Sequence, residues 1–175
     1  MKTYIKRTCQ RFIASGLAFS FLSVLCLVAF SATAQAAQLT VRSVTLGSSV
    51  ASAVTSYQFD FTTATTATFQ SFAADLCTTA SSTCTTPTGA SITGSTFTST
   101  TFTGTWTVST ATAGSIRASA TGASSTTSGT AKQIIFGSVT NPSTTNTTYF
   151  ARITLYSATA WATPVDTGTV AASIV

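Results

Sequence analysis

The sequence predicts an all-β protein: an antiparallel two-sheet sandwich of about eight or nine strands, preceded by a signal-peptide helix. Three observations carry that prediction. First, apolar and polar residues alternate with period two. Tyr57, Phe59 and Phe61 interleave with Gln58, Asp60 and Thr62, and Phe102, Trp106 and Val108 interleave with Thr101, Thr103, Thr105 and Thr107. Second, residues 37–175 are rich in β-branched and aromatic side chains, with 38 Thr among them. Third, turn-forming clusters separate the alternating runs, at 47–49, 85–89, 113–114, 121–129 and 141–146. A jelly roll or a small barrel would meet the same pattern.

Residues 1–36 read as an export signal. Lys2, Lys6, Arg7 and Arg11 form a basic start without an acid. An apolar stretch follows over residues 12–30, and the small-residue run Ala34-Gln35-Ala36 supplies a cleavage site, with Ala32-Thr33-Ala34 as a second choice. The competing reading is an uncleaved anchor, since the stretch nearly matches a bilayer span; Ser15, Gly16, Ser20 and Ser23 dilute it and favour cleavage. Leu25 before Cys26 is too large for a lipobox. The membrane is thus a partner only before cleavage, and the mature chain is expected to be secreted or held at the cell surface.

The remaining residues, 37–175, form one domain, long enough for a single core. In chain order the predicted strands are residues 39–46, 57–62, 68–76, 91–98, 101–108, 115–120, 132–139, 148–156 and 167–175. The run Phe72-Ala73-Ala74-Asp75-Leu76 is compatible with one helical turn but reads better as strand entering the loop that follows. The many Ser and Thr would also suit a disordered stalk. Against that stand the period-two aromatics and only three Pro.

Charge is scarce. The chain has 8 Lys+Arg, 3 Asp+Glu and no His. Four bases leave with the signal, so residues 37–175 carry Arg42, Arg117, Lys132 and Arg152 against Asp60, Asp75 and Asp166, or 4 − 3 = +1. No basic cluster remains to neutralise phosphates, so nucleic acid is not an expected partner. Imidazole chemistry is excluded, and no metal site or cofactor is expected. Solubility must rest on the 38 Thr and 21 Ser of residues 37–175.

Cys77 and Cys84 remain after the signal. An even pair in an exported chain argues for a disulfide, worth about 2.5 kcal/mol for so short a loop. The spacing is not C-x-x-C, and no His is present to complete a metal site.

Two segments carry a resemblance. Leu76-Cys77 through Cys84-Thr85-Thr86-Pro87-Thr88-Gly89 is one. The other is Val139-Thr140-Asn141-Pro142-Ser143-Thr144, with Tyr149-Phe150-Ala151-Arg152-Ile153-Thr154 and Asp166-Thr167-Gly168-Thr169-Val170-Ala171 after it. Together they resemble a group of small, exported, Thr/Ser-rich bacterial surface proteins of unassigned activity, generally taken as Ig-like modules. The resemblance spans residues 39–175. It implies a fold and supplies no catalytic or binding residues.

Catalysis is not expected. Lys132 is the sole lysine left to activate a hydroxyl, and two of Asp60, Asp75 and Asp166 would have to converge for carboxylate acid–base work. Calcium would need more carboxylates than Asp166 and loop carbonyls offer. A Lys132 cross-link to Asn141 or Asn146 competes with a plain turn at Asn141-Pro142. The Thr run at 101–107 reads as the wet face of one strand, with a glycan-contact or ice-binding face as rarer readings. The hairpin loop before Asp166 holds Trp161. With Tyr156 and Asp166 it makes a candidate recognition surface, while the plainer role of Trp161 is to cap the core. The expected function is a non-catalytic surface or extracellular interaction module. Its partners are itself, through edge strands free of Lys and Pro, or other surface proteins or glycans.

Overall fold

The structure, a computed structural model, describes residues 35–175; the signal segment, apart from its last two residues, lies outside the described residues. Among the described residues there are strands and no helix. In order they are β1 (Ala37–Gln38), β2 (Thr40–Leu46), β3 (Val54–Thr62), β4 (Ala67–Thr68), β5 (Ser71–Cys77) and β6 (Thr96–Thr100). After them come β7 (Thr105–Ser109), β8 (Ser115–Thr121), β9 (Ser125–Thr126), β10 (Ala131–Thr140), β11 (Thr147–Tyr156) and β12 (Pro164–Ile174). Residues Ala36–Val175 form one unit.

The strands make a six-stranded sheet, β1-β12-β11-β5-β8-β7, a four-stranded sheet, β2-β3-β10-β6, and the small pair β4-β9. Pairing is antiparallel except for the short β1–β12 contact. The two larger sheets pack in a sandwich-like way, and aromatic side chains fill the space between them. Phe59 and Phe61 of β3 and Phe136 of β10 meet Phe72 of β5 at ring-centroid distances of 5.4, 6.2 and 5.6 Å. The period-two pattern explains the filling: on β3 the residues Tyr57, Phe59 and Phe61 are all buried.

Each flank of the sandwich is bridged by a segment that changes sheets. On one side, β1 lies on β12 and the chain passes directly into β2 on β3. On the other, β6 pairs with β10, and β7, after only four residues, pairs with β8 in the opposite sheet. This corrects the reading of 101–108 as one strand. The chain bends over residues 101–104. Gly104, at φ 95°, takes a conformation that L side chains rarely adopt. A Cβ there would also lie 2.7 Å from the carbonyl oxygen of Thr121. The alternation survives the corner because Phe102 and Trp106 both turn into the core, 5.5 Å apart. The predicted strand 91–98 likewise begins later, at Thr96; Ser91 makes only an isolated bridge to Thr140.

A chain of buried polar groups ties the sheets together. The Tyr149 hydroxyl on β11 donates to that of Tyr57 on β3 at 2.8 Å, and Tyr57 donates to Asn141 Oδ1 at 2.9 Å. Asn141 Nδ2 then donates to the carbonyls of Ser48 and Val50 at 2.9 and 2.8 Å. Asn141 is wholly buried. It is a structural linchpin, where the sequence suggested only a turn.

Candidate functional site

Cys77 and Cys84 form the expected disulfide. The loop they close wraps the guanidinium of Arg152, which donates to the carbonyls of Ser82, Ser81 and Thr79 at 2.7, 2.7 and 2.9 Å. A flat five-donor group is suited to such a ring of oxygens. The disulfide and Arg152 order the same loop, so their contributions should not add. Reduction is expected to lower stability by about 2–3 kcal/mol, and Arg152→Ala by about 1–2 kcal/mol in the oxidised protein but by less once reduced. Thermal unfolding of both proteins with and without reductant checks this; full additivity would separate the two devices.

The predicted recognition set does not share one surface. Asp166 lies within β12 rather than in the hairpin loop, and it is fully buried. Its Oδ2 accepts the backbone N–H groups of Ala64 and Thr65 at 2.8 and 3.2 Å, fastening that loop. Tyr156, half-buried, ends β11 where the Trp161 loop begins. Trp161 itself is half-buried and at φ 54°. Its Nε1 donates to the carbonyl of Phe72, and the Arg117 guanidinium stands 5.5 Å over its ring. The Trp161 loop also receives Ser71 Oγ at the carbonyl of Ala158. The loop thereby covers β5, where Ser71 and Ala73, out of phase with the core-facing Phe72 and Ala74, are nonetheless buried. Trp161 acts as a cover for the six-stranded sheet, with its N–H and a ring face already occupied.

A second constellation emerges that sequence reasoning did not assemble. Asp60 and Lys132 line one surface cleft of about 230 Å³ with Val41, Thr62, Thr101 and Gln133. The register explains it: β3 and β10 place Asp60 opposite Gln133 and Phe61 opposite Lys132. Gln133 and Gln58 each donate an amide N–H to a separate Asp60 oxygen, both at 2.8 Å. Lys132 Nζ donates to the Thr101 carbonyl at 3.0 Å and lies 5.0 Å over the Phe102 ring. The signal for this site was present but weak: Lys132 shares the strand phase of the buried Ile134 and Phe136.

The Thr101 hydroxyl accepts the Gln133 backbone N–H at 2.8 Å, while Lys132 contacts the Thr101 carbonyl. No hydroxyl–base pair of the kind a nucleophile needs is formed among these residues. Asp75 lies on β5 and Asp166 on β12, so neither carboxylate joins Asp60. Lys132 and Asn141 sit at and just beyond opposite ends of β10, too far apart for a cross-link.

The two flanks differ in their edges. β2 is interrupted by a register shift between Thr40 and Ser43, with Val41 at φ 45° and Arg42 beside it. A bulge and a charge are both devices that discourage strand addition. β6 (TFTST) and β7 (TWTVS) carry no charge and no Pro, and each has a hydrogen-bonded neighbour on one side only. Comparison with known protein families, with curated proteins and with solved structures finds no match for this chain.

Proposed function

We propose that this chain is a non-catalytic, exported interaction module with an Ig-like sandwich, and that it associates with further copies of itself through β7. The observation that carries the reading is the asymmetry of the flanks: the β2 edge is broken and charged, whereas β7 offers an unguarded row of backbone donors and acceptors. An antiparallel pair of β7 strands centred on Thr107 places Thr107 opposite itself and Thr105 opposite Ser109. These hydroxyl-bearing residues pair well and bring no like charges together. Such a contact is two-fold symmetric and joins two six-stranded sheets edge to edge. The disulfide suits an oxidising compartment. Near-neutrality, with Thr and Ser on the exposed faces, lets copies approach closely without repulsion.

One five-residue strand buries little area, so the dimer is weak and concentration-dependent. Light scattering coupled to size exclusion should show a dimer forming toward about 1 mM. Thr107 is exposed, and Thr107→Lys should leave the monomer's stability within about 0.5 kcal/mol while setting two ammonium groups opposite each other. The variant is expected to remain monomeric throughout. A wild type that stays monomeric, or a Thr107→Lys protein that associates equally, would remove this reading.

A further inference from the structure

Asp166 is a carboxylate in a core position. It shares the strand phase of the buried Gly168 on β12, pairs with the buried Leu155 on β11, and is itself 0% exposed. Oδ2 accepts the N–H groups of Ala64 and Thr65, whereas Oδ1 meets no hydrogen-bond donor among the described residues. Holding that loop does not explain the charge, because the carbonyl oxygen of an Asn would accept the same two N–H groups. A buried carboxylate is unfavourable unless a cation and hydrogen bonds meet it. The side-chain cations are engaged elsewhere. Arg42 donates to the carbonyls of Leu39 and Thr169, Arg117 stands over Trp161, Lys132 donates to the Thr101 carbonyl, and Arg152 fills the disulfide loop.

One further cation arises on the backbone itself. β1 pairs with β12 in parallel register, with Ala37 opposite Asp166 and Gln38 opposite Thr167. The Leu39 N–H donates to the Thr167 carbonyl at 2.7 Å. N–H groups along a strand alternate in direction, so the nitrogen of Ala37, two residues earlier, also points toward β12. Ala37 is at the same time the first residue after Ala34-Gln35-Ala36, the preferred cleavage site of the export signal. Gln35 is exposed, and neither it nor Ala36 belongs to a strand. We infer that Asp166 is the receptor for the α-ammonium group that signal cleavage creates on Ala37. Hydrolysis adds one water across the Ala36–Ala37 bond: a carboxylate leaves on Ala36 and an ammonium stays on Ala37. In the uncut chain this nitrogen is an amide with a single N–H. The ammonium has three; one keeps the direction of the strand ladder and another is free for Oδ1, one strand spacing of ~4.8 Å away. The ion pair then joins β1, β12 and the loop at Ala64 and Thr65 at one point. Cleavage after Ala34 would set the ammonium two residues out of register. This inference rests on the export reading above and is independent of association through β7.

Intact mass of the exported protein should show Ala37 as its first residue. An ammonium paired with a buried carboxylate resists deprotonation. In 15N NMR of the alanine-labelled exported protein, the α-nitrogen should therefore titrate about one pH unit or more above its ordinary ~8. In urea, and in Asp166→Asn, it should return to the ordinary value. Stability gives a second readout, opposite in sign with and without the pair. In the chain that starts at Ala37, Asp166→Asn removes the partner of the ammonium and should lower Tm by about 5 °C. In a chain that keeps residues 31–36, Ala37 carries an amide; the same change there removes an unpaired charge and should hold or raise Tm. Equal effects of Asp166→Asn in the two chains would overturn the inference. So would an α-nitrogen that titrates at or below its ordinary value in the folded wild type, a measurement that decides the matter even if Asp166→Asn does not fold. An exported protein cut at another bond would overturn it too. One that keeps its signal would remove the cleaved-signal reading as well, whereas a cut before Ala37 with an unpaired amine would leave that reading standing and overturn this inference alone.

Discussion

Asn141→Ala should be the most damaging single change away from the aromatic core, lowering stability by about 3–5 kcal/mol. The reason is the number of groups it strands at once. The Tyr57 hydroxyl loses its acceptor, and the carbonyls of Ser48 and Val50 lose their shared donor. The side chain is fully buried, so a cavity is added to the unpaired groups. The neighbours should follow in a fixed order. Tyr57→Phe strands Asn141 Oδ1 and the Tyr149 hydroxyl, for about 2–3 kcal/mol; Tyr149→Phe removes only a terminal donor, for about 1 kcal/mol. Combining Asn141→Ala with Tyr57→Phe should cost clearly less than the sum. Urea unfolding of the four proteins measures this. A small effect for Asn141→Ala, or strict additivity, would show that the chain of hydrogen bonds does not act as a unit.

Raising the pH should unfold the protein through the same tyrosines. Burial is the main cause pushing the Tyr57 hydroxyl up to about 12, partly offset by its hydrogen bond with Tyr149. Tyr149 is pushed up further, by burial first and then by Tyr57. In the unfolded chain both ionise near 10. Above that pH the unfolded state sheds protons that the native state keeps, so stability falls with rising pH. The contribution is intact below pH 10 and is lost as the pH climbs through the folded values. For Tyr57 alone the loss by pH 12 is about 2 kcal/mol, at ~1.4 kcal/mol per unit. In a Tyr156→Phe mature chain, where Tyr57 and Tyr149 are the tyrosines left, tyrosinate absorbance should therefore rise together with loss of β-structure, in one cooperative step above pH 10. Tyr149→Phe should make the dependence shallower. Gradual ionisation near pH 10 with the fold intact would contradict the buried network.

Much of the architecture was legible because period-two alternation is local. β3, β8, β10 and β11 each write their buried face into consecutive residues. The corner at 101–104 was not legible for the same reason. Phe102 and Trp106 keep the alternation although they flank a change of sheet, and Gly104 alone punctuates it. Asn141 and Asp166 were misread because their partners are remote. Asn141 meets Tyr57 across 84 positions, and Asp166 meets Ala64 across 102. Locally, Asn-Pro and Pro-Val-Asp look like turn and loop. The cleft was hidden by register, since only the pairing of β3 with β10 brings Asp60 beside Gln133 and Lys132 beside Phe61. Nothing in a Thr-Val-Arg-Ser run signals that Val41 adopts a left-handed conformation.

Hydrogen exchange at the two flanks, followed as a function of protein concentration, addresses self-association most directly. β7 is an edge strand paired only with β8, so some of its amides face solvent in the monomer. Those amides within Thr105–Ser109 should become protected as concentration rises, while amides of β2 beside the bulge at Val41 and Arg42 exchange at an unchanged rate. Protection at β7 that is independent of concentration, or a concentration-dependent change at β2 in its place, would contradict the proposed association through β7.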